Sequence, residues 1–188
     1  MVGLRVLTCG FAAAALSVAG CSATGTTGTT PSGRQATTSN PAPGSPSTAS
    51  PADLARKQAS AAYVGMWRDV AEAAKTSDWR SPILSRHATG DALSVISRSM
   101  YADHRNGLVA KGAPKTYPKA ISADPSAGPT TVMISDCGDS TNWLKYRKDT
   151  GELADDTPGG RRAITAEVKK AAGGWKVARF AVEAVGSC

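Results

Sequence analysis

The sequence predicts an α+β domain in which helices come first along the chain and antiparallel strands follow. Apolar residues recur at three- and four-residue steps until about residue 107, which is typical of amphipathic helices. From Thr116 onward, segments rich in β-branched and apolar residues are separated by short turns, which is typical of an antiparallel meander. This order favours helices packed on one face of a sheet, within a single domain over residues 52–188.

Residues 1–20 have the layout of a secretory signal peptide. Arg5 provides the positive charge, and the apolar run over residues 6–18 is too short to cross a bilayer. The letters VAGC at 18–21 resemble the bacterial lipobox, at which the chain is cut and the cysteine is acylated. We therefore expect fatty chains on Cys21 to hold the mature protein on the outer face of the cell membrane. The alternative is an ordinary secreted protein with a free Cys21.

Residues 21–51 are predicted to be a disordered linker. They consist mainly of Ser, Thr, Gly, Pro and Ala and include no large apolar residue, so they bury too little surface to offset the entropy of ordering. A flexible coil of this length has an end-to-end distance of about 30 Å. We expect it to hold the domain away from the lipid headgroups.

A long amphipathic helix is predicted to begin at Pro51 and to end before the break at 77–82. Its apolar positions are Leu54, Tyr63, Met66, Trp67, Val70 and Ala74. A turn or short helix then extends to His87, and Asp91 is interpreted as the N-cap of the next helix, which ends at Gly107. The apolar side of that helix carries Leu93, Ile96, Met100 and Tyr101.

Strands are predicted in the second half of the chain. Their segments are TTVMISDC at 130–137, TNWLKYRK at 141–148, RRAITAEVKK at 161–170 and GWKVARFAVEAV at 174–185. Alternation places Ile164, Ala166 and Val168 on one face of the third segment. Trp175 follows a Gly-Gly turn, and we expect it to begin the last strand and to pack inward.

Cysteine usage also favours export. Cys9 is removed with the signal peptide and Cys21 carries lipid, which leaves Cys137 and Cys188. Two cysteines that remain outside the cytosol are expected to form a disulfide. The alternative is two separate buried thiols.

Charge and spacing argue against nucleic-acid and metal binding. The formal charge is +7, and Arg5 and Arg34 lie outside 52–188, which leaves +5 on the domain, with its basic residues dispersed. His87 and His104 are the only histidines, and neither has the spacing of a zinc site. The acidic segment 149–156 lacks the alternation of a calcium loop and is interpreted as hairpin turns. We expect no cofactor.

The segments SDCGDSTNW, DDTPGGRRAITAEVKK and GWKVARFAVEAVGSC, together with Cys137 and Cys188, resemble those of a known family. They are similar to small actinobacterial lipoproteins with a nuclear-transport-factor-2-like domain, also called a cystatin-like cone. The resemblance covers about residues 55–188. It implies that the helices close one side of a curved sheet and that a pocket forms at the open end of the cone. Similar proteins associated with mammalian-cell-entry transporters share this cone.

The resemblance implies a pocket, and the residues expected to line it are Tyr63, Trp67, Met100, Tyr101 and Phe180. The expected function is that of a non-enzymatic envelope lipoprotein whose cone binds a partner protein or an apolar ligand. A homodimer formed through the sheet is a further expected partner. The alternative is an isomerase or dehydratase that acts on a lipid-like or polyketide-like molecule in the pocket.

That enzymatic alternative needs a buried Asp or His beside a Tyr inside the cavity. The candidates are Tyr63, Tyr101, Asp103, His104 and Asp136. Asp103 and His104 are adjacent, so they point about 100° apart on a helix and form no dyad by spacing. We interpret them as polar residues of a helix end, and Asp136 and Asp139 as turn-forming residues around Cys137.

Overall fold

The computed structural model describes residues 49–154, 157 and 159–188. The predicted signal peptide, the acylation site Cys21 and the linker up to residue 48 lie outside the described residues. Within them, three helices precede all six strands, and the predicted α+β class is confirmed. None of the helices in this described part is long and apolar enough to cross a membrane.

The helices are α1 (Pro51–Ala74), α2 (Leu84–His87) and α3 (Gly90–Arg105). The side chain of Ser50 accepts a hydrogen bond from the backbone N–H of Asp53, so it caps α1 one residue before Pro51. Two details of the prediction are wrong. Leu54 is 51% exposed and faces solvent, and Asp91 lies in the first turn of α3, whose N-cap is Thr89.

Six strands follow: β1 (Leu108–Lys111), β2 (Lys119–Asp124), β3 (Thr131–Asp139), β4 (Leu144–Arg147), β5 (Arg161–Ala171) and β6 (Gly174–Val182). β2, β3, β5 and β6 form a curved, open antiparallel sheet in that order. The prediction that all strands form one meander is wrong for β4. It pairs instead with β1, a strand that the sequence pattern did not reveal, in a separate two-stranded sheet.

The core lies between the helices and the inner face of the four-stranded sheet. Alternation places Ile164, Ala166 and Val168 of β5 on this face, as predicted, and all three are buried. Trp175 also packs inward, since it is 8% exposed and its indole N–H donates a hydrogen bond to Gln58. The largest fully buried side chains are Tyr63, Met66, Val132, Ile134, Val168 and Val177.

Cys137 and Cys188 form a disulfide, which confirms the predicted pairing. It joins β3 to the final segment of the chain, across a sequence separation of 51 residues. That segment also bonds to β5: the N–H of Gly186 donates to the carbonyl of Arg161, and the N–H of Ala163 donates to the hydroxyl of Ser187, each at 2.8 Å. The disulfide therefore fixes the final segment to β3, and the two hydrogen bonds hold it against the start of β5.

Candidate functional site

A cleft of about 380 Å³ opens between α1 and α3 on one side and strands of both sheets on the other. Its walls are mainly apolar. The main apolar contributors are Trp67, Val70, Ile96, Met100, Trp143, Ile164, Phe180 and Val182. The volume lies near the lower end of the roughly 300–1,000 Å³ that small-molecule sites occupy, so the cleft suits a small ligand or one part of a larger one.

The cleft exists partly because β3 lacks a side chain at Gly138. This glycine continues the inner-face series of β3 after Ile134 and Asp136, and it pairs directly with Arg162 of β5. A Cβ atom built at Gly138 would lie 2.8 Å from the Cδ1 atom of Ile164. Any larger side chain at this position would therefore take up space inside the cleft.

Aromatic rings from both sides of the cleft contact one another. The ring centroid of Trp67 lies 5.6 Å from that of Phe180 and 6.2 Å from that of Trp143, both in edge-to-face arrangements. Such contacts hold large side chains in fixed positions and add to the energy of burial. The indole N–H of Trp143 is buried and has no hydrogen-bond partner among the described residues.

Three of the five residues expected to line the pocket do so: the structure brings together Trp67, Met100 and Phe180. Tyr63 does not line the cleft, because it is fully buried in the core behind it. Tyr101 does not line it either. One position after Met100 it points about 100° around α3, where it is 44% exposed and its ring centroid lies 5.0 Å from that of Trp79.

Behind the cleft lies a buried carboxylate. Asp136 is 5% exposed and accepts hydrogen bonds from the hydroxyl of Tyr63 at 2.9 Å and from the backbone N–H of Tyr117 at 2.6 Å. Burial, together with the charge of Asp136, raises the pKa of Tyr63 far above its ordinary value. The interpretation of Asp136 as a turn residue is wrong, because it lies within β3. Asp139 ends β3, and its carboxylate accepts a hydrogen bond from the N–H of Thr141 in the turn that follows.

A second buried polar pair was not predicted. The Nδ1 atom of His87 lies 2.7 Å from the Oδ2 atom of Asp69, which is 5% exposed. The imidazole packs on Gly65, where a Cβ atom would come within 2.8 Å of the ring. These residues lie on two different helices, so no spacing pattern in the sequence signals the pair. Neither side chain lines the cleft.

Charged groups lie on one part of the cleft wall. Asp103 at the end of α3 forms an ion pair of 2.5 Å with Lys145 of β4, and Arg162 of β5 is half-buried. His104, next to Asp103, is exposed and does not line the cleft. Over the described part of the chain, no group of three His, Cys, Asp or Glu residues is placed to hold a metal ion.

Comparison with known proteins gives little further information. No family model matches the chain, and no curated protein matches it. Among solved structures, the intermembrane space region of the chloroplast protein ARC6 is similar over 69% of this chain and 96% of that chain, with 20% identity and a TM-score of 0.43. A similarity this distant carries no functional argument.

Proposed function

We propose that this protein is a non-catalytic binding module of the cell envelope that holds a small apolar molecule in the cleft between its helices and its sheet. The observation that carries the proposal is the preformed cleft, whose walls are mainly apolar and aromatic. Clefts with a few polar groups on mainly apolar walls are the usual sites of small-molecule binding.

Exposed apolar residues at the cleft support this proposal. Val95 of α3 is 43% exposed and Val182 of β6 is 40% exposed, although both line the cleft. Burial of apolar surface contributes about 25 cal/mol per Å². An apolar ligand that covers these side chains therefore binds more favourably, because it removes their apolar surface from water.

The cellular location belongs to the same proposal. The lipobox-like residues before Cys21 favour a lipid anchor, and the polar segment that follows provides a tether. The disulfide between Cys137 and Cys188 supports an oxidising compartment, because such bonds are rare in the cytosol. We propose that the domain works outside the cell membrane, anchored through Cys21.

An isomerase or dehydratase is the second candidate, and the pair of Tyr63 and Asp136 is the observation that favours it. A buried carboxylate beside a tyrosine is one of the arrangements that such an enzyme needs. However, neither residue lines the cleft, and the two oxygens of Asp136 already accept hydrogen bonds from the protein. The hydrogen bonds of the pair are therefore already made within the protein, and we favour binding without catalysis.

Calorimetric titration of the full chain with decanol tests the proposal. The protein used for the titration has the substitution Cys21→Ala, so that no lipid attached at this position competes for the cleft. We expect decanol to bind, and we expect Gly138→Val to weaken binding at least about tenfold, because the new side chain enters the cleft. Gly128→Val is the matched control, since nothing lies within 4 Å of a Cβ atom at Gly128. Absence of decanol binding, or equal weakening by both variants, would overturn the proposal.

A further inference from the structure

The charged residues of the cleft leave an excess of positive charge. Among its described lining residues, only Asp103, Lys145 and Arg162 are charged. Asp103 and Lys145 neutralise each other through their ion pair. No carboxylate of the described residues forms an ion pair with Arg162, so among these residues its guanidinium is the one unneutralised charge on the wall. Asp155 and Asp156 lie outside the described residues.

The position of Arg162 directs it toward the interior of the cleft. It shares the inner face of β5 with Ile164, and it lies opposite Gly138, which has no side chain to fill the space beside it. Its Nε atom donates a hydrogen bond to the carbonyl of Gly159 at 3.3 Å. This bond uses one of the five guanidinium N–H donors and limits the directions that the others can take.

We propose that the natural ligand is an amphiphile with an anionic oxyacid head group, whose apolar chain packs against Trp67 and Phe180 while Arg162 binds the head group. The inference rests on the proposed function, since it names the class of molecule that the same cleft binds. A guanidinium presents two parallel N–H donors, which match the two oxygens of a carboxylate or of a phosphate. In a half-buried site this pairing is screened less than on the surface.

Chemical selectivity follows from this arrangement. An alcohol of the same chain length offers the same apolar contact but leaves the charge of Arg162 unpaired. An amine of the same length places a further positive charge beside Arg162 and Lys145. The anionic compounds should therefore bind most tightly and the amine least tightly. Added salt should weaken binding of the anions more than binding of the alcohol.

Four ligands with the same alkyl chain test the inference by calorimetry: decanoate, decyl phosphate, decanol and decylamine. The protein is again the full chain with Cys21→Ala. We expect decanoate, decyl phosphate or both to bind about tenfold more tightly than decanol, which is the effect of one added charge-assisted hydrogen-bond pair. The better of the two identifies the head group as a carboxylate or a phosphate.

Two variants test whether Arg162 is responsible for the tighter binding of the anions. Arg162→Gln should lower the affinity for the preferred anion to about that for decanol, while decanol binding changes by less than about twofold. Arg161→Gln is the matched control, because it removes the same charge from the adjacent residue. Arg161 is exposed, and its guanidinium donates hydrogen bonds to the sulfur of Cys137.

The outcomes separate the two proposals. If decanol does not bind, the proposed binding function fails. If decanol binds as tightly as both anions, the function stands and the inference about the head group is overturned. The inference is equally overturned if Arg161→Gln and Arg162→Gln weaken anion binding to the same extent, because the effect would then come from overall charge.

Discussion

The hydroxyl of Tyr63 donates a 2.9 Å hydrogen bond to the carboxylate of Asp136, and this contact joins α1 to β3 across 73 positions of the sequence. The other carboxylate oxygen accepts the N–H of Tyr117, the residue after Thr116, which lines the cleft. One buried carboxylate thus connects a helix, the central sheet and the segment that forms part of the cleft wall. We infer that Asp136 fixes the position of that wall.

Loss of this contact should destabilise the fold. Tyr63→Phe removes the hydroxyl that donates a hydrogen bond to the buried carboxylate of Asp136. Hydrogen bonds to charged groups contribute about 1.5–3 kcal/mol to stability. We expect a decrease of that size in the free energy of unfolding, measured by urea denaturation. Tyr101→Phe is the matched control, because that side chain is 44% exposed. Equal stability of the two variants would contradict the account of Asp136.

The raised pKa of Tyr63 predicts a loss of stability at alkaline pH. Burial and Asp136 keep the phenol protonated in the folded protein, whereas in the unfolded chain the phenol titrates near its ordinary pKa of 10.0. The stabilisation is therefore complete below pH 10 and decreases above it, by about 1.4 kcal/mol per pH unit. Urea denaturation between about pH 9 and pH 11 should show this slope in the parent protein and a shallower one in Tyr63→Phe. Equal slopes of stability against pH in the two proteins would refute the assignment of a raised pKa to Tyr63.

The disulfide should contribute to stability. Replacing both Cys137 and Cys188 with Ser should lower the free energy of unfolding by about 2–4 kcal/mol, because the bond restricts the unfolded chain. Urea denaturation with and without a reductant measures this effect. The parent protein should lose stability on reduction and the double variant should not change. A parent protein that is insensitive to reductant would show that the bond does not contribute.

Substitution of Asp103 should affect binding more than stability. Its partner Lys145 is about half-exposed, and ion pairs between exposed groups contribute about 0–1 kcal/mol, so Asp103→Asn should unfold almost as the parent does. The variant releases Lys145 inside a cleft that we propose to bind anions. Decanoate should therefore bind more tightly by calorimetry, while decanol binding stays the same. Weaker binding of decanoate would argue against an anionic ligand.

Features that depend on local periodicity were predictable from the sequence. The apolar positions of α1 recur every three to four residues, and Ile164, Ala166 and Val168 alternate along β5, so the pattern within each segment already identifies its buried face. The same logic placed Trp67 and Met100 on inward faces, and both line the cleft. Phe180 also lines it, but strict alternation from Trp175 and Val177 would place it on the outer face, and it faces inward because the register between β5 and β6 shifts before it.

Features that depend on distant contacts were not predictable. β1 and β4 have four residues each, which is too short for a clear alternation, and they pair across an interval that includes β2 and β3. Asp136 lies among Ser, Gly and Asp residues that are typical of turns, and only its bonds to Tyr63 and Tyr117 explain its burial. The cleft itself depends on the missing side chain of Gly138 opposite Arg162, which appears only once the register is known.

The central claim is that the cleft binds an apolar chain, and intermolecular nuclear Overhauser effects between decanol and the protein test it most directly. We expect contacts from the alkyl protons to the ring of Phe180 and to the methyl group of Met100, which lie on opposite walls of the cleft. Contacts to Met133 on the outer face of the sheet instead, or none to the cleft residues, would contradict the claim.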